Sequence, residues 1–208
     1  MRILLVGNYL PDRQESMLRF GELMARSLRA RGHDVELLQP APYLGKLASA
    51  QGKVGKWFGY IDKFLLFPIR LLLAKKNFDV VHVCDHSNAM YIRHLADVPH
   101  IVTCHDVLAI RSALDEIPQN TVSSTGKKFQ QLILNGLKLS KLIVCVSENT
   151  RNELLRVSAR PIESVTVVYL SLNHSYSRMD RNDAIARLSA LGFDGDQPYF
   201  MHVGGSVW

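Results

Sequence analysis

The chain has 208 residues, enough for one well-packed domain with a sizeable core but small for two. A hydrophobic content of 47% with 21% charged residues excludes a wholly disordered chain. The formal charge of +6 is local: between Leu44 and Lys76 seven basic residues face the single acid Asp62, an excess of six that equals the charge of the whole chain and suits a docking surface for anions.

Met1-Arg2-Ile3-Leu4-Leu5-Val6-Gly7 is too short an apolar run for a secretory signal and lacks its small-residue cleavage site, so residues 2–6 are predicted to be the first strand. Asp12-Arg13-Gln14-Glu15 has capping-box spacing, with Asp12 as N-cap. A helix is predicted to follow to about Arg31, with Met17, Phe20, Met24 and Leu28 on one face and Gly32 as its stop. Val35 to Leu38 is a second strand, closed by Pro40 and Pro42. Residues 54–75 are helical in composition, with a break expected at Pro68.

Val80 to Val83 predicts a third strand, Ser87 to about Leu95 a short helix, and His100 to Cys104 a fourth strand. Residues 106–124 have no clear period and predict a loop. A helix from about Lys127 to Leu139, a strand from Leu142 to Val146, a helix capped by Ser147 and a strand from Val165 to Tyr169 complete the series. Strands alternating with helices, each strand apolar on both faces, predict an α/β doubly wound parallel sheet. In such sheets ligands collect outside the carboxyl ends of the strands. The tail is expected to form a helix over Asp183 to about Leu191, then a strand over Tyr199 to Val203 and a Gly204-Gly205 turn. That is the start of a βα unit, and a second domain is expected to begin there.

The functional candidates follow the strands. Gly7-Asn8 lies at the first turn, which is neither GxGxxG nor a Walker A loop. It suits a phosphate at a helix N-terminus or serves as an ordinary βα turn. Asp85-His86 either binds an acceptor hydroxyl or caps the next helix. His105-Asp106 either reaches into the crevice, where an imidazole hydrogen-bonds a hydroxyl or phosphate, or holds a loop. His82, inside a strand, reads as a satisfied core histidine. Ser147-Glu148 closes the set. Cys84, Cys104 and Cys145 have no metal-ligand or disulfide spacing and read as small hydrophobes at strand ends, which fits a reducing cytoplasm. There is no metal signature and no nucleic-acid signature.

The order of these motifs resembles the N-terminal domain of family-4 retaining glycosyltransferases. The resemblance rests on Arg2-Ile3-Leu4-Leu5-Val6 with its Pro11 loop, Phe20-Gly21-Glu22-Leu23 to Val35, and Phe78-Asp79-Val80-Val81-His82-Val83. It continues through Ile101-Val102-Thr103-Cys104-His105-Asp106, Val146-Ser147-Glu148-Asn149-Thr150 and Val167-Val168-Tyr169, to the closing Tyr199–Gly205. It implies a Rossmann-like GT-B N-terminal domain over 1–175, followed over 176–208 by a linker helix and the first strand of a donor domain. It further implies a nucleotide-sugar donor, a carbohydrate or lipid-linked acceptor, and no cofactor or metal. His105 is implied to lie beside the transferred sugar as the catalytic positioning group, with Gly7, Asn8, Ser16, Asp85, His86, Asp106, Ser147 and Glu148 binding substrate. Two departures stand out: Gln14-Glu15-Ser16-Met17 replaces the family's Gly-Gly in the first loop, and Leu170-Ser171 replaces its Asn-Gly after the sixth strand.

The alternative to an enzyme is a non-catalytic acceptor- or membrane-binding module of glycosyltransferase descent. An unrelated doubly wound binding domain is a third reading. Residues 44–76 are expected to meet an anionic membrane surface on the inner face of the membrane. In this reading Trp57, Phe58, Ile61, Phe64, Leu65 and Leu72 face lipid, flanked by Lys53, Lys56, Lys63 and Arg70. The strongest apolar stretch, Phe64 to Ala74, has 11 residues and contains Pro68 and Arg70, against the roughly 20 that a span needs.

Overall fold

The computed structural model describes residues 1–45, 53–172, 176–194, 197–198 and 200–201. Residues Met1–Leu170 form one compact unit, and Ser171–Trp208 a second, smaller one.

The first unit is a six-stranded sheet, parallel throughout: β1 (Arg2–Val6), β2 (Asp34–Leu38), β3 (Val80–Val83), β4 (His100–Cys104), β5 (Leu142–Cys145) and β6 (Val165–Val167). The strand order is β2-β1-β3-β4-β5-β6, so the direction of winding reverses between β1 and β3. Alternation along β1 explains why both faces are covered. Leu4 and Val6 join the larger core with Val81, Val83, Val102 and Ile143, while Ile3 and Leu5 join the smaller one with Ala25 and Val35. Each fully buried aliphatic side chain contributes about 1.5–3 kcal/mol, which makes these short strands stable as a sheet.

The smaller core is closed by α1 (Glu15–Ala30), which packs Phe20, Met24 and Leu28 on the sheet. Gly32, at φ +82°, takes the left-handed turn after it. The expected capping box is absent. Asp12 ends a short 3-10 turn (Leu10–Asp12), α1 begins two residues after Arg13, and its N-cap Gln14 makes no side-chain cap. The Asp12 carboxylate instead pairs with Lys63 at 2.9 Å. The competing ion pair and the left-handed Arg13 (φ 52°) draw the first turn away from the helix axis.

The crossover from β2 to β3 runs through α2 (Lys53–Ile61), a π turn (Asp62–Leu66) and α3 (Phe67–Ala74). The break falls just before Pro68 rather than at it. Pro68 has no N–H and its ring crowds the carbonyl four residues back, so the widened π turn ahead of it absorbs the misfit. Phe67 and Leu71 are buried against the sheet, and the Phe67 ring lies 4.8 Å from that of Tyr91. Buried Asp62 anchors this crossover by accepting from Tyr9 Oη at 3.0 Å and from the backbone N–H groups of Leu44 and Gly45.

A 3-10 helix (His86–His94) follows β3. Residues 106–124 are not wholly a loop, because α4 (Leu108–Ala113) forms there around the buried Ile110. α5 (Ser124–Leu139) packs on the 3-10 helix with Ile133, Leu134 and Leu137 buried, and α6 (Glu148–Ser158) returns the chain to β6. Strand β6 ends at Val167, two residues earlier than expected, although Val168 N–H still donates to Cys145 O at 3.0 Å. All three cysteines are free and buried, and burial pushes the Cys84 thiol up to about 12.

In the second unit α7 (Arg181–Ala190) is capped by Asp180, whose carboxylate accepts from Asn182 N at 2.8 Å. Of the strand expected over Tyr199 to Val203, Tyr199, His202 and Val203 lie outside the described residues, as does Gly204-Gly205. Phe200 and Met201 are exposed and form no strand.

Candidate functional site

The reversal between β1 and β3 opens a crevice at their carboxyl ends, and the first residues past each strand meet there. Asn8, after β1, is buried and donates through Nδ2 to Asp85 Oδ2 at 2.6 Å and to Gln14 Oε1 at 2.5 Å. Its Oδ1 accepts from Asn88 Nδ2 at 2.9 Å. Asp85, after β3, caps the 3-10 helix by accepting from Ser87 N at 3.1 Å, and it accepts again from Ser87 Oγ at 2.5 Å. Of the two readings of Asp85, the cap is what the geometry supports, since both carboxylate oxygens are engaged by protein donors.

His86 sits behind Asp85, 9% exposed, with Nδ1 3.1 Å from Asp85 Oδ1. The contact is close enough for an ion pair but not aligned as a hydrogen bond, and Nδ1 has no other partner. Burial works against the imidazolium, yet the carboxylates of Asp85 and, more distantly, Asp106 outweigh it and raise the His86 pKa. Burial also works against ionised Asp85, but His86, Ser87 and Asn8 together hold its carboxyl well below the usual range. Each partner thus favours the charged form of the other, and the Asp85 carboxylate is further held by Ser87 and Asn8.

His105 leaves the end of β4 half-buried. Its Nε2 lies 3.0 Å from the carbonyl of Cys84, and its ring stands edge-on to Phe20 at 4.8 Å. A carbonyl only accepts, so Nε2 carries the proton. When the ring is neutral, Nδ1 therefore presents a lone pair, and among the described residues no group donates to it. The backbone oxygen of His105 is held by Thr150 Oγ1 at 3.2 Å. Asp106 is exposed, and its Oδ1 accepts from Leu108 N at 2.9 Å.

The other candidates are spent on structure or stand apart. Ser147 is the N-cap of α6, its Oγ accepting from Thr150 N at 3.1 Å, and Glu148 pairs with Arg151 at 3.2 Å. Ser16 is exposed on the first turn of α1, outside the Asn8–Asp85 network. At Gly7 an added Cβ would meet the Gln39 side chain at 2.9 Å, so this glycine makes room for Gln39. The 3-10 turn separates it from α1, and no phosphate cradle of strand, glycine and helix N-terminus is formed. His82 is a satisfied core histidine, bonded to Thr103 Oγ1 at 2.8 Å and lowered to about 4 by burial and by nearby His105.

Gln14, Phe20, Ser87, Asn88 and Thr150 also hold the site together, and sequence reasoning missed them. Only Ser87, two residues after an Asp at a helix start, carried a readable signal. A hollow of about 580 Å³ runs along β2 between Glu36, Arg70 and Leu73, and none of the crevice residues lines it. Among the described residues, no group of three His, Cys, Asp or Glu side chains is arranged to hold a metal.

A doubly wound parallel sheet with a polar crevice at its switch point is a Rossmann-like domain, and solved structures share the fold. One is Anabaena Alr3699/HepE in complex with UDP, with a TM-score of 0.51 and 15% identity over 92% of this chain and 50% of that one. Another is Glycyrrhiza uralensis UGT73P12 complexed with glycyrrhetinic acid 3-O-monoglucuronide, with a TM-score of 0.51 and 9% identity over 80% of this chain and 48% of that one. The chain thus spans about half the length of either. No curated protein matches its sequence. Residues 20–175 match Glycosyltransferase Family 4, and the chain belongs to that family.

Proposed function

We propose that this chain is the acceptor-side half of a retaining glycosyltransferase. The full-length protein moves a sugar from a nucleotide-sugar donor to a carbohydrate or lipid-linked acceptor, at the cytoplasmic face of a membrane. The acceptor oxygen bonds to the anomeric carbon as the carbon–oxygen bond to the diphosphate breaks, and the acceptor proton passes to the departing phosphate. Residues 1–175 form the acceptor-side domain in this reading, and 176–208 lead into the donor domain. The three free, buried thiols support a reducing compartment.

One observation carries the reading. The Cys84 carbonyl fixes the His105 tautomer and Phe20 packs against its ring, leaving Nδ1 as an acceptor to which no described residue donates. An acceptor nitrogen orients a sugar hydroxyl, which makes His105 a positioning group rather than a second donor to phosphate. In the full-length enzyme His105→Ala is expected to lower turnover at least about tenfold, roughly 1.4 kcal/mol of transition-state stabilisation, with the thermal midpoint unchanged. Full activity, or loss through unfolding, would make His105 structural. Assayed by itself, the 208-residue chain is expected to give no turnover, because one domain supplies neither the donor's positioning nor the stabilisation of the leaving diphosphate. Measurable transfer by the purified chain overturns that expectation.

A second reading, a non-catalytic acceptor- or membrane-binding module, draws support from Asn8, Asp85 and Ser147, whose polar atoms are engaged by the protein itself. Acceptor binding by a full-length protein that shows no turnover with any nucleotide sugar would favour it.

A further inference from the structure

The crossover helices carry their apolar residues on two opposite sides. Phe67 and Leu71 are buried in the larger core, and Lys75 is buried against the His94 carbonyl and Asp97. The residues two places before each of them, Leu65, Ile69 and Leu73, lie some 200° around the helix and face outward. They are 59%, 51% and 75% exposed, and Trp57, two turns before Leu65, is 69% exposed. The solvent side of a helix covering a parallel sheet is ordinarily charged. Here α2, the π turn and α3 form a run of about 33 Å, at 1.5 Å per residue, with an apolar ridge as its outer edge.

This face differs from the one expected from sequence. Phe64 turns inward to pack on Phe129, their rings 5.7 Å apart, and Phe58 and Ile61 are half-covered. Lys63 is bound to Asp12 and lies over the ring of Tyr9, so it is not a free flanking charge. Lys75 is paired with Asp97. The remaining cations of the stretch are Lys46, Lys53, Lys56, Arg70 and Lys76, of which Arg70 lies over the Tyr43 ring at 5.7 Å. Lys46 and the side chains of Lys53 and Lys56 lie outside the described residues.

We infer that the ridge Trp57, Leu65, Ile69, Leu72 and Leu73 is a docking face for an anionic lipid bilayer, lying in the interface with its axis along the membrane plane. The charge of the stretch selects lipid over a second copy of the chain. Stacking the ridge on itself would bring together two stretches that each keep five cations outside the Lys63–Asp12 and Lys75–Asp97 pairs, and the one acid among them, Asp62, is buried inside. An anionic surface answers both the ridge and the charge. No helix among the described residues is long and apolar enough to cross the membrane, so the contact is peripheral. The inner side of α2 packs on the first loop: a Cβ at buried Gly59 would lie 3.5 Å from the ring of Tyr9.

The chain has two tryptophans, Trp57 and Trp208, so Trp208→Phe leaves Trp57 as the sole reporter. With phosphatidylcholine vesicles containing phosphatidylglycerol, Trp57 emission is expected to shift to the blue and to be quenched by brominated lipid. The shift should fade at high salt and be absent with phosphatidylcholine alone. Leu65→Glu, Ile69→Glu and Leu73→Glu combined should weaken vesicle partitioning by about tenfold or more and leave the circular dichroism melt unchanged, because all three are exposed. Lys53→Gln with Lys56→Gln should weaken it about fivefold per lysine. Absence of a shift, or equal binding to neutral and anionic vesicles, overturns the proposal. So does a dimer in sedimentation velocity that the same triple variant dissolves, which would assign the ridge to a second copy. Vesicle binding is read without sugar transfer, so its failure leaves the reading of His105 intact.

Discussion

Gly136→Ala is expected to destabilise the protein by about 2 kcal/mol or more, while Gly21→Ala is expected to stabilise it by about 0.5–1 kcal/mol. Both glycines are buried within helices, Gly21 inside α1 and Gly136 in the last turn of α5, and alanine has the better helix propensity at each. What differs is what the new methyl meets. At Gly21 it lies 3.6 Å from Leu37 Cδ1, ordinary contact that fills space. At Gly136 it falls 1.9 Å from the carbonyl oxygen of Ala89 and 2.4 Å from its carbon. Those are backbone atoms of the 3-10 helix, and no rotamer change relieves them. α5 must back away from His86–His94 and loosen Ile133, Leu134 and Leu137 in the process. Because Asp85 and His86 begin that helix, the shift also reaches the crevice. Chemical denaturation of both variants checks the pair. A Gly136→Ala protein as stable as wild type would mean that the two helices do not approach as closely as described.

The sheet was legible because its signal is redundant. Each strand is a run of β-branched and aliphatic residues apolar on both faces, which only a covered parallel sheet accommodates, and the Gly, Ser or Asp following several of them names a turn. Ser147 as the cap of α6 and Gly32 as the stop of α1 were readable for the same reason: a short polar side chain and a missing Cβ act within one turn. Asp12 was misread because a capping box is also local, and a partner 51 residues away took its carboxylate. α4 was missed because six residues are too few to show a period; it forms where Ile110 finds the core.

The site was legible in outline and not in its division of labour. That Asn8, Asp85, His86 and His105 would gather followed from topology alone, since all lie just past strand ends. Which of them still has an open atom depends on contacts such as Asn8 to Gln14 and His105 to Cys84. Those contacts depend on the 3-10 turn after Tyr9 and on the register of β3 with β4. A period-2 pattern fixes neither of these.

Asp85→Ala should cost more than any other single change at the crevice, about 3–5 kcal/mol, because it strips the counter-charge from buried His86 and leaves the Ser87 donors and one of the two Asn8 Nδ2 hydrogens unmatched. The cost should depend on pH in a direction set by both partners. The folded carboxyl is held below its unfolded value, so its contribution is full above about pH 4 and is lost as pH falls through the depressed folded pKa. The folded His86 is raised above its unfolded value, so its contribution is full below about pH 6.5 and is lost as pH rises through the raised folded pKa. The stability difference between wild type and Asp85→Ala should therefore be largest between about pH 4 and 6.5 and decline on either side. Taking the difference removes His82, whose neutral form burial favours in both proteins. Asp85→Asn, which keeps an acceptor for Ser87 but no charge for His86, should fall between the two and lose most of the alkaline decline. Urea titrations of the three proteins across this range decide it. A difference that stays flat with pH would show that His86 is neutral in the fold and that Asp85 acts only as a helix cap.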